Sequence, residues 1–106
     1  VKLDAAVQRF GREAELEGFN TPEGAEGCCE VASRAFLSML EQRGVEATLV
    51  CLTAMELEDY PVATDGCLIH YVVEVAGRWF DWTARQFDPD AAFPTVTEAG
   101  RQGRAL

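Results

Sequence analysis

The chain has 106 residues, and its 18 Asp and Glu against 9 Lys and Arg give a formal net charge of −9 and a pI near 4.4. Nucleic-acid recognition rests on clustered Lys and Arg that neutralise phosphates; here the basic residues are scattered singly from Lys2 to Arg104, which sets that class aside. With 48% apolar and 25% charged residues, the composition is that of a globular protein, at a length suited to one domain over residues 1–106.

A chain of this size buries roughly 65% of its unfolded surface, enough for a core without covalent staples. The longest apolar runs, such as Leu49 to Leu52, are only a few residues, far short of the ~20 that span a bilayer. The expectation is a soluble protein with neither a membrane nor a nucleic acid as partner. No basic stretch followed by an apolar run opens the sequence, which starts at Val1. It reads as a processed form or a piece of a larger protein, cytoplasmic or delivered with that protein.

Along the chain, Leu3, Ala6, Val7, Phe10 and Ala14 recur at helical spacing, with Arg9, Arg12, Glu13 and Glu15 on the other face. This predicts an amphipathic helix, ended by Gly18 and a loop of about eight residues rich in Asn, Thr, Pro and Gly. A second helix is predicted from Gly27-Cys28-Cys29-Glu30, with Ala32, Ala35, Phe36, Met39 and Leu40 on one stripe and Gly44 at its left-handed end. Val45 to Leu52 is short, β-branched and mostly apolar, which predicts an interior strand. Residues Ala54 to Asp65 are acidic and contain Pro61, predicting a loop with one helical turn near Met55 to Leu57. Cys67 to Val75 and Arg78 to Thr83 flank Ala76-Gly77 as a hairpin, although Ala is not the preferred first turn residue. The tail from Arg85 onward, with Asp88-Pro89-Asp90 and Phe93-Pro94, is predicted to be irregular.

The four cysteines, Cys28, Cys29, Cys51 and Cys67, include no C-x-x-C pair, and the chain has a single histidine. That spacing argues against a zinc site and a disulfide framework, and for buried free thiols.

Three polar residues fall where packing alone does not ask for them: Cys29 at a helix start, His70 in an apolar strand and Asp81 in the partner strand. A thiol in the first turn of a helix feels unpaired backbone N–H groups and the positive end of the helix dipole, both favouring thiolate. The same N–H groups can donate to an oxyanion on an attacked carbonyl. Cys28 lines up with Ala32, Ala35 and Met39 and is the better core residue, which leaves Cys29 as the candidate nucleophile. If Val75 pairs with Arg78, His70 faces Thr83 and becomes a diagonal neighbour of Asp81 on one face. An imidazole held by a carboxylate on one nitrogen can take the thiol proton on the other. A one-residue slip would turn Asp81 to the opposite face. Each residue also has a plainer reading: packing thiols at 28 and 29, a satisfied core histidine, and an aspartate bonded to a local backbone amide.

The order Cys29, His70, Asp81, with Gly27-x-Cys29-x-x-x-Ser33 opening a helix and His70-Tyr71-Val72-Val73-Glu74-Val75-Ala76-Gly77-Arg78-Trp79-Phe80-Asp81 as a hairpin, resembles the papain-like and transglutaminase-like cysteine hydrolase superfamily. It is especially similar to the small bacterial papain-fold toxin and glutamine deamidase-like domains, over about residues 27 to 88. The resemblance implies an α+β fold, with N-terminal helices packed on a small antiparallel β-sheet, the cysteine at a helix start and the histidine and aspartate on adjacent strands. It implies attack on an amide of a protein substrate through a thioester, without a cofactor or metal, and an inhibitory or immunity protein as a further partner. Its alternative is an inactive papain-fold module that binds protein. The chain departs from the larger proteases in size, and no glutamine stands shortly before the nucleophile to complete an oxyanion hole, the nearest upstream amide side chain being Asn20; Cys28 and Gln86 are kept as additional candidates for the site.

Overall fold

The computed structural model describes residues 2–57, 60 and 69–99. The first apolar stripe winds into α1 (Lys2–Leu16), which buries Ala6, Phe10 and Ala14. The connection that follows, expected to be a loop, contains a short helix, α2 (Pro22–Ala25). Thr21 caps it by accepting from the Gly24 N–H, and Pro22 stands at its first turn, where a missing N–H costs nothing.

The second stripe forms α3 (Cys29–Gln42), with Ala32, Ser33, Phe36 and Leu40 buried. Ala35, expected on that stripe, is exposed, because the buried face turns toward Ser33. Gly44 adopts φ +72°, and the Gly44 and Val45 amides donate back to the Glu41 and Leu40 carbonyls, closing the helix where its sequence predicts.

Four strands follow: β1 (Thr48–Thr53), β2 (Ile69–Val75), β3 (Arg78–Asp81) and β4 (Thr95–Glu98). They form one antiparallel sheet in the order β1-β2-β3-β4. The fold is therefore α+β. Two expectations are corrected. Among the described residues β1 pairs with β2 alone, so it is an edge strand, with Thr48, Cys51 and Thr53 exposed, rather than an interior one. The tail is not wholly irregular: after a 3-10 turn at Ala84–Gln86, the β-branched run Thr95-Val96-Thr97 supplies the fourth strand. The helical turn expected near Met55 is α4 (Ala54–Leu57); Cys67 and the rest of the acidic loop, except Tyr60, lie outside the described residues.

The hairpin has the predicted register, Val75 opposite Arg78, with Ala76 and Gly77 both at positive φ. Apolar side chains fill both faces of the sheet. On the helical face Phe36 meets Phe10, Phe80 and Trp82 at ring-centroid distances of 5.2, 5.7 and 5.3 Å. On the other face Leu52, Leu57, Tyr60, Val72 and Trp79 make a second cluster, and His70 shares that face with Val72 because strand side chains alternate. No helix of the described residues is long and apolar enough to cross a membrane.

Candidate active site

The β2–β3 ladder runs from Val75↔Arg78 to Val73↔Phe80 and goes no further. Beyond that point the start of α3 takes the place of the neighbouring strand along β2. The Ser33 hydroxyl, one turn into the helix, donates to the Tyr71 carbonyl at 3.1 Å, and the Tyr71 backbone N–H donates to the Cys29 sulfur. The helix start is thus fixed against the middle of β2, with the half-buried Cys29 thiol at its first residue. Cys28 occupies the N-cap, makes no side-chain capping bond, and packs against the helical core. The first-turn N–H groups of α3 therefore have no side-chain cap, in contrast to those of α2.

His70 and Asp81 are both buried, and His70 Nε2 lies 2.7 Å from Asp81 Oδ2. The carboxylate is only an acceptor, so Nε2 carries the proton and donates. Nδ1 has no partner at ordinary hydrogen-bonding geometry, which leaves it as the ring nitrogen open to the thiol. Asp81 also does what an isolated aspartate at a strand end would do. Its Oδ1 accepts the Thr83 N–H at 2.9 Å, fixing the turn by which the chain leaves β3. One carboxylate shapes the local backbone with one oxygen and holds the histidine with the other.

The electrostatics follow from that arrangement. Burial pulls the imidazole toward its neutral form, but hydrogen bonds to Asp81 and Cys29 and their charges override it, and His70 is pushed up to about 10. Burial also opposes ionisation of Cys29. The bonds from His70 and the Tyr71 amide and the imidazole charge outweigh it, together with the opposing charge of Asp81, so the thiol is held below its ordinary value. These shifts favour a thiolate–imidazolium pair at neutral pH.

Of the residues singled out from the sequence, Cys29, His70 and Asp81 are brought together. Gln86 is close by but engaged: its Oε1 accepts the Gly27 N–H at 3.4 Å and its Nε2 donates to Thr83 Oγ1 at 3.1 Å. It braces the backbone before the cysteines against the turn after Asp81. The buried thiols expected elsewhere are not all found, since Cys51 is exposed on the edge strand.

No protein-family model matches the chain, and neither a curated protein nor a solved structure is significantly similar to it. Among the described residues no cluster of three or more His, Cys, Asp or Glu is arranged to hold a metal ion.

Sequence reasoning missed two contributors, Tyr60 and Phe87, and the role of a third, Ser33, which it held only as part of the motif after Cys29. Tyr60, from the predicted loop, donates its hydroxyl to Asp81 Oδ2 at 2.6 Å. Phe87 and Tyr60 set their rings edge-on to the imidazole, with centroids 5.2 and 5.8 Å away. Ser33 ties helix to strand. Of these only Ser33 carried a signal, as a polar residue on the buried stripe one turn after Cys29.

Proposed function

We propose that this chain is a papain-like or transglutaminase-like cysteine hydrolase or acyl transferase that acts on an amide of a protein substrate. The observation that carries the reading is the buried His70–Asp81 bond of 2.7 Å beside a thiol whose ionisation that histidine favours. An imidazole fixed on one nitrogen and open on the other, next to a sulfur at an uncapped helix start, is what thiol-mediated acyl chemistry needs.

In the proposed cycle the Cys29 sulfur attacks the amide carbon, and the C–S bond forms as the carbonyl oxygen becomes an oxyanion. First-turn N–H groups of α3 donate to it. The C–N bond then breaks, and His70 delivers its Nδ1 proton to the leaving nitrogen. Water, deprotonated by His70, next attacks the thioester; the C–O bond forms, the C–S bond breaks to release the Cys29 thiolate, and His70 keeps the proton taken from water, so the resting thiolate–imidazolium pair re-forms while the product acid loses its proton to solvent. Asp81 keeps the Nε2 proton in place throughout. The alternative acceptor for the thioester is an amine, which gives acyl transfer.

A domain this small favours a shallow site, better suited to one protruding glutamine than to an extended strand, so side-chain deamidation is the expected outcome. The net charge of −9 favours encounter with neutral or basic substrates. The test is to incubate the protein with glutamine-bearing substrates such as casein peptides and to weigh substrates and enzyme intact. Deamidation adds about 1 Da per site, cleavage yields fragments, and rapid acid quenching traps an acyl adduct on Cys29, all abolished in Cys29→Ala. Products that persist in Cys29→Ala would overturn the reading.

A further inference from the structure

The Tyr60 hydroxyl and His70 Nε2 meet on a single oxygen. Asp81 Oδ2 accepts the phenol at 2.6 Å and the imidazole at 2.7 Å, while Oδ1 is taken by the Thr83 amide. Tyr60 is itself buried. Burial, then the Asp81 charge and the bond to it, raise the phenol well above its ordinary value, so it stays protonated and acts only as a donor.

We propose that Tyr60 is a positioning residue for this pair: by donating to the oxygen that holds His70, it fixes the carboxylate's orientation and divides its charge, tempering the grip of the imidazole on its proton.

Two short bonds to a charged acceptor compete for the same electron density, so strengthening one weakens the other. A histidine that must both take and return a proton works best when neither form is locked. Asp81 and Cys29 alone would bias this one strongly toward imidazolium, and Tyr60 pulls the other way. Among the described residues the groups that face the imidazole are Asp81 from β3, Cys29 from α3, and the rings of Tyr60 and Phe87. Of the titratable ones, Tyr60 acts through Asp81 alone.

The inference rests on the thiol–imidazole reading above, and its test is arranged so that the two fail separately. His70 is the sole histidine, so in untagged, nitrogen-15-labelled protein its ring resonances identify themselves. The titration is run in a Cys29→Ala background, where the imidazole answers to Asp81 and Tyr60 without the thiol. Tyr60→Phe is expected to raise the imidazole midpoint by about half to one pH unit. Site-specific Tyr60→3-fluorotyrosine, a stronger donor of the same shape, is expected to lower it. If Tyr60→Phe does not fold, the fluorinated protein decides alone. Midpoints that stay put, or that move in the same direction in both variants, would overturn the role of Tyr60. Failure of the underlying reading shows instead in protein with Cys29 intact, as thiol reactivity indifferent to His70.

Discussion

Near its turn the β2–β3 hairpin is held by three backbone-paired positions lying over an aromatic cluster in which Phe36 touches Phe80. From residue 72 outward the ladder stops and side chains take over: Cys29 and Ser33 from α3, His70, Asp81, and Tyr60 from the segment after α4. At the closed end a residue matters through its bulk and backbone. At the open end the polar atoms other than His70 Nδ1 have assigned partners, and a low-dielectric surrounding makes each assignment consequential. Stability and reactivity should therefore respond to different substitutions in the same hairpin.

The largest stability effect is expected at the closed end. Phe36→Ala removes a ring that is fully buried among three others and should cost about 3–5 kcal/mol in urea unfolding. A loss below ~1 kcal/mol would mean that the aromatic cluster is not what supports the hairpin. At the open end, His70→Ala should return Cys29 toward an ordinary thiol, cutting its alkylation at pH 6 on the order of 100-fold.

The pH dependence of stability sharpens the contrast. His70 is raised from 6.5 to about 10, so its bond to Asp81 contributes in full below about 6.5 and is lost as pH rises through about 10. The stability gap between wild type and Asp81→Asn should accordingly be widest near pH 6 and narrow toward pH 10 in urea titrations. A gap that widens with pH would reverse the sign assigned to the pair. The smallest effect belongs to the turn. Ala76 sits at φ +52°, which an L-residue adopts at a cost of about 1 kcal/mol, so Ala76→Gly should stabilise by about that amount and leave Cys29 labelling unchanged.

The parts of this arrangement that depend on period and turn chemistry were legible in the sequence. Helical spacing located α1 and α3, Gly44 marked a helix end, and the Ala76-Gly77 turn set the register that makes His70 and Asp81 neighbours. Tyr60 was not legible, because it reaches Asp81 from a stretch with no period, 21 residues away in the chain. The edge position of β1 was hidden for a different reason: an apolar β-branched run reports one buried face but not how many strands flank it. The strand β4 was masked by the Pro-containing segment before it, and α2 by its brevity, although Thr21-Pro22 is a helix-start pair.

The central claim is that His70 favours ionisation of Cys29. The direct measurement is the rate of iodoacetamide labelling at each cysteine from pH 5 to 10, located by peptide mass spectrometry, in wild type and His70→Ala. The account predicts that Cys29 reacts well below its ordinary pH range, ahead of Cys28 and Cys51, and that His70→Ala erases the lead. Four cysteines labelling slowly and alike, or a Cys29 rate unchanged in His70→Ala, would contradict it.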